Sequence, residues 1–78
     1  MTSNVTPAIA LAVLWYFGQP QGREPGHFMQ ALLEAIARAD ESNLELLRTV
    51  FPGVVEAYLA GSRETYGVNR LVEIAGAL

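Results

Sequence analysis

The chain has 78 residues, no cysteine and a formal net charge of −3, and all five of its basic side chains are arginine. This length allows one domain, residues 1–78, and the absence of cysteine excludes disulfide bonds. The acidic balance disfavours nucleic acid as a partner, because binding to phosphates requires clustered positive charge. Residues 1–4 contain no lysine or arginine, so we also expect no signal peptide.

The first predicted element is an apolar helix at about residues 7–17. Thr6 followed by Pro7 is typical of a helix start, and Gly18 supplies the left-handed residue that often follows a helix end. The segment between them contains no charged or amide side chain, whereas a helix of a small domain normally presents a polar face to water. It must therefore be enclosed by its own fold, by another protein chain or by lipid. It spans about 15 Å, half of what a bilayer core requires.

A loop rich in proline and glycine follows, and a second helix is predicted at residues 26–39. Its apolar residues recur with helical period and form one inward stripe: Phe28, Met29, Leu32, Leu33 and Ile36. Glu34 and Arg38 lie on the opposite side in the favourable i, i+4 order.

Three shorter helices complete the prediction, at about residues 43–51, 53–60 and 66–77. Ser42 and Glu45 match a capping box, which predicts Ser42 as the N-cap of the third helix. Pro52 either ends that helix or kinks a longer one, and Gly61 ends the fourth. No segment alternates in the manner of a strand. The predicted fold class is all-α, a compact bundle of four to five short helices with no sheet.

The sequence offers no constellation for catalysis, so we predict no enzyme, no catalytic residue, no cofactor and no metal site. His27 is the one histidine and has only Glu24 as a local acidic neighbour. The carboxylates fall on the predicted polar faces, and neither metal-ligand spacing nor a phosphate-binding loop is present.

Two alternatives to protein contact remain open. Helices two and three could form a DNA-binding helix-turn-helix about Ala39–Glu41, although the acidic turn would repel phosphates. The first helix could instead anchor a peripheral membrane protein.

The aromatic residues at the end of the first helix indicate a protein interface. Trp15, Tyr16 and Phe17 are consecutive and span about 200° of the helix, so they cannot all face one small core. Tryptophan and tyrosine are also enriched at binding hot spots. A domain this small, without disulfide or metal, is commonly stabilised by oligomerisation. We predict an interface on Leu11, Trp15, Tyr16 and Phe17.

The order of several motifs resembles a widespread group of small proteins encoded by actinobacteriophages, mycobacteriophages especially, and by prophages of related hosts. The resemblance covers about Trp15–Leu59. It is carried by Trp15-Tyr16, Gly18, Pro20, Pro25-Gly26-His27-Phe28, Leu32-Leu33, Ala35-Ile36, Ala39-Asp40, Asn43, Leu47, Phe51-Pro52, Val55 and Ala57.

The resemblance implies an accessory, non-virion phage protein in the host cytoplasm, of a group in which some members act on host proteins. It brings no catalytic or binding residue to this chain. Taken with the apolar first helix, it predicts a protein that acts by contact, with itself as a homo-oligomer or with a host protein.

Overall fold

The computed structural model describes residues 4–76, and within that range it contains five α-helices and no strand. The helices are α1 (Pro7–Tyr16), α2 (His27–Arg38), α3 (Glu41–Val50), α4 (Pro52–Arg63) and α5 (Gly67–Ala75). The Cα radius of gyration is 11.4 Å, close to the value of about 11.5 Å expected for a compact domain of this length. The all-α bundle predicted from the sequence is confirmed. Residue 77, placed in the last predicted helix, lies outside the described residues.

Both ends of α1 are closed by local hydrogen bonds. Thr6 caps the first turn through its side chain. At the other end Gly18 has a φ of +72°, its N–H donates to the carbonyl of Trp15 at 3.0 Å, and the N–H of Gln19 donates to that of Leu14 at 2.9 Å. This pair of bonds is the Schellman motif, which depends on a residue that tolerates the left-handed conformation.

The other elements are arranged around α1. It packs most extensively on α5, then on α4, and also contacts α2, and Ala10, Val13 and Leu14 are completely buried. The loop after α1 folds back so closely that a Cβ on Gly22 would overlap the backbone of Trp15. The chain thus encloses much of its apolar helix by itself.

Helix α2 contributes part of its predicted stripe to the core. Leu32, Leu33 and Ile36 are buried and Met29 is partly buried, whereas Phe28 is 69% exposed. The expectation that Phe28 points inward is therefore wrong. Phe28 lies in the first turn of α2, and its ring faces that of Phe51, the residue between α3 and α4.

The predicted N-cap of α3 is wrong by two residues. Asp40 is the N-cap, and its carboxylate accepts a hydrogen bond from the backbone N–H of Asn43 at 2.8 Å. Ser42 lies inside the helix, in its first turn. Because α3 begins directly after Asp40, the acidic side chain of Glu41 lies in its first turn, where it interacts favourably with the helix dipole.

Helices α3 and α4 are separate. Phe51 has φ −126° and ψ 60°, outside the helical region, and Pro52 begins the next helix. Helix α4 then continues through Gly61 to Arg63, beyond its predicted end. Gly61 instead provides room for the ring of Phe17, whose Cε2 would lie 2.8 Å from a Cβ at that position.

The N-cap of α3 can be tested by substitution. We expect Asp40→Ala to lower the free energy of unfolding by about 1 kcal/mol, the usual cost of losing a side-chain cap. Asp40→Asn keeps an acceptor and should stay near wild type, and Ser42→Ala should change stability by less than about 0.5 kcal/mol. Urea unfolding measures all three. A larger loss in Ser42→Ala than in Asp40→Ala would restore the capping box.

Candidate protein interface

The four interface residues predicted on α1 are all partly buried, and they divide into two pairs. Leu11 and Trp15 are one turn apart, on the same side of the helix as the exposed Ala8. Tyr16 and Phe17 lie on another side, at the C-terminal end of α1. The open side of α1 therefore comprises Ala8, Leu11 and Trp15.

Tyr16 and Phe17 have partners within the chain. Both rings pack on Tyr58 of α4, with ring centroids 6.0 and 5.2 Å away, and they contact each other edge to face at 5.6 Å. The hydroxyl of Tyr16 donates to Oε1 of Glu34 on α2 at 3.1 Å. These contacts connect the end of α1 to α2 and α4, so the two residues stabilise the fold whether or not a partner covers them.

A shallow apolar groove of about 310 Å³ adjoins the open side of α1. Its wall is the loop before α2, which is fixed at two points. The N–H of Arg23 donates to the carbonyl of Leu11 at 3.1 Å, and Nε2 of Gln30 donates to the carbonyl of Pro25 at 2.7 Å. The loop thereby covers part of the helix surface that the sequence left without a neighbour.

A second apolar surface, with the more exposed side chains, lies between α2 and α3. Phe28 is 69% exposed, and Leu46 and Val50 are each 67% exposed. Leu46 and Val50 line a groove of about 500 Å³ between the two helices, and the ring of Phe28 lies 6.0 Å from that of Phe51, which also lines it. The α2–α3 face is defined by the apolar residues Phe28, Ala35, Ala39, Leu46, Val50 and Phe51, and the polar side chains of Arg38 and Asn43 line the same groove. Contiguous exposed apolar surface of this kind marks interaction sites.

Sequence reasoning missed this face, although a signal for it was present. Leu44, Leu47 and Phe51 recur with helical spacing and form the inward stripe of the third helix; Leu44 is buried and the other two are partly buried. Leu46 and Val50 are spaced i, i+4 and fall outside that stripe. A second apolar row on a short helix predicts a second contact.

Helices α2 and α3 each carry one ion pair between side chains of the same helix. On α2, Nε of Arg38 lies 3.2 Å from Oε2 of Glu34, and on α3, Nη2 of Arg48 lies 3.6 Å from Oε1 of Glu45. All four side chains are about half exposed or more, so each pair contributes at most about 1 kcal/mol to stability. Arg38 lines the α2–α3 groove, whereas Arg48 lines a separate groove with Asn4 and Pro52 on the other side of α3.

The remaining polar groups form no recognisable catalytic arrangement. His27 is exposed in the first turn of α2. Among residues 4–76 there is no buried polar or charged side chain and no group of three side chains suited to hold a metal ion. Comparison with protein-family models, with curated proteins and with solved structures finds no match to this chain.

The contact between Tyr16 and Glu34 predicts a late-titrating tyrosine. Burial, and then the hydrogen bond and the negative charge of Glu34, raise the pKa of Tyr16 above its ordinary value. Because this pKa is higher in the folded chain, the associated stability is present below the unfolded value of about 10 and is lost as the pH rises through the folded value.

Ultraviolet titration at alkaline pH checks this. We expect the ionisation of Tyr16, obtained as the difference between the wild-type and Tyr16→Phe titrations, to lie above the ordinary tyrosine value, and Glu34→Gln to shift it part of the way back. The shift in Glu34→Gln is partial because burial is the larger cause. A difference titration centred at the ordinary value of about 10 would contradict the contact.

Truncation of neighbouring residues tests the two sides of α1. We expect Leu14→Ala to cost about 2–5 kcal/mol, because Leu14 is completely buried. Trp15→Ala should cost less although it removes a larger side chain, since Trp15 lies on the open side. Unfolding is followed by circular dichroism, because Trp15 is the one tryptophan. A cost of about 3–5 kcal/mol for Trp15→Ala, typical of a buried tryptophan, would place it in the core.

Proposed function

We propose that the protein is a small phage accessory protein that acts by protein–protein contact in the host cytoplasm, as a homo-oligomer, with a host protein, or both. The observation that carries this proposal is the α2–α3 face. Three of the four large hydrophobic side chains that are most exposed in the described chain, Phe28, Leu46 and Val50, meet on that one surface. Exposed aromatic and aliphatic side chains around a groove are the usual anchor sites of an interface.

The open side of α1 supports the same proposal more weakly. Leu11 and Trp15 retain partial exposure there and remain the predicted contact residues of that helix. Tyr16 and Phe17 are partly buried against Tyr58, so they offer a partner less free surface. We therefore regard the α2–α3 face as the principal contact surface and the open side of α1 as a second one.

The helix-turn-helix alternative finds little support in this arrangement. Helix α2 packs on α1 and α4, and α3 packs on α4, while α2 and α3 border a common groove. A recognition surface needs side chains that contact phosphates and base edges, and on α3 the exposed Asn43 and Arg48 are of that type. Arg48, however, is paired with Glu45, and the side of α3 that borders α2 carries the apolar Leu46 and Val50.

The membrane-anchor alternative also lacks a supporting surface. It requires α1 to present its apolar residues to lipid, but Ala10, Val13 and Leu14 are buried in the domain. None of the helices described for this chain is both long enough and apolar enough to cross a bilayer.

Substitution on the α2–α3 face tests the proposal. Leu46→Asp introduces a charge at an exposed position, so we expect the chain to stay folded and to lose binding, because a desolvated charge in the centre of an interface costs several kcal/mol. Tyr66→Asp is the matched control, since Tyr66 is 77% exposed and lies away from the face, before α5.

Two measurements are made on each variant. Sedimentation equilibrium reports self-association, and affinity capture from an extract of the bacterial host, repeated with purified components, reports a host partner. The proposal predicts that wild type and Tyr66→Asp associate by at least one of these measures and that Leu46→Asp is weakened at least tenfold. A wild-type chain that is monomeric and retains no protein sensitive to Leu46→Asp contradicts it.

A further inference from the structure

We draw no further inference here: the strongest candidate, the apolar groove between α2 and α3 that Leu46, Val50 and Phe51 line, belongs to the contact surface already described, and nothing in the structure shows what covers it.

Discussion

The enclosure of α1 is the constraint on which the rest of this structure depends. A helix without a polar face cannot be left against water, and a chain of this length has few elements with which to cover one. Helices α5, α4 and α2 all pack on α1, and at Gly22 the following loop packs against the backbone of Trp15. Helix α3 takes no substantial part in this enclosure and packs on α4. It consequently buries little beyond Leu44, while Leu46 and Val50 remain outside. The apolar surface between α2 and α3 is thus a consequence of how the core is built.

Much of the fold was predictable because its signals are local. Thr6 with Pro7, Gly18 and Pro52 each act within one turn of the backbone, and each occupies the helix end that its chemistry favours. Local signals predict a helix end wrongly where two candidate capping residues lie close together, or where a residue distant in sequence determines how far the helix continues. Asp40 and Ser42 are both good caps, and Asp40 is the one used. Gly61 is a plausible helix end until the ring of Phe17 is placed beside it, and that neighbour is far away in sequence.

The same distinction applies to the candidate interface. The sequence places Leu11, Trp15, Tyr16 and Phe17 in one apolar run, but which of them stay exposed depends on contacts it does not display. Tyr16 packs on Tyr58 of α4 and donates a hydrogen bond to Glu34 of α2. The loop before α2 forms the wall of the groove beside Leu11. The α2–α3 face was predictable in part, because the spacing of Leu46 and Val50 departs from the buried stripe. Its extent was not, since it depends on Phe28 turning outward beside Phe51.

The ion pairs of this chain are better understood as surface charge balance than as fold stability. The pairs of Arg38 with Glu34 and Arg48 with Glu45 are exposed, and exposed pairs contribute little to the free energy of unfolding. Their positions show how α3 is divided. Arg48 is two residues from both Leu46 and Val50 and lines a separate groove with Asn4, Pro52 and Glu64, so the ion pair of α3 lies on the side of the helix that faces away from α2. Leu46 and Val50 line the groove that α3 shares with α2. The surface that the enclosure of α1 leaves uncovered is therefore defined by apolar side chains, and the ion pair of α3 belongs to the opposite, polar side of that helix.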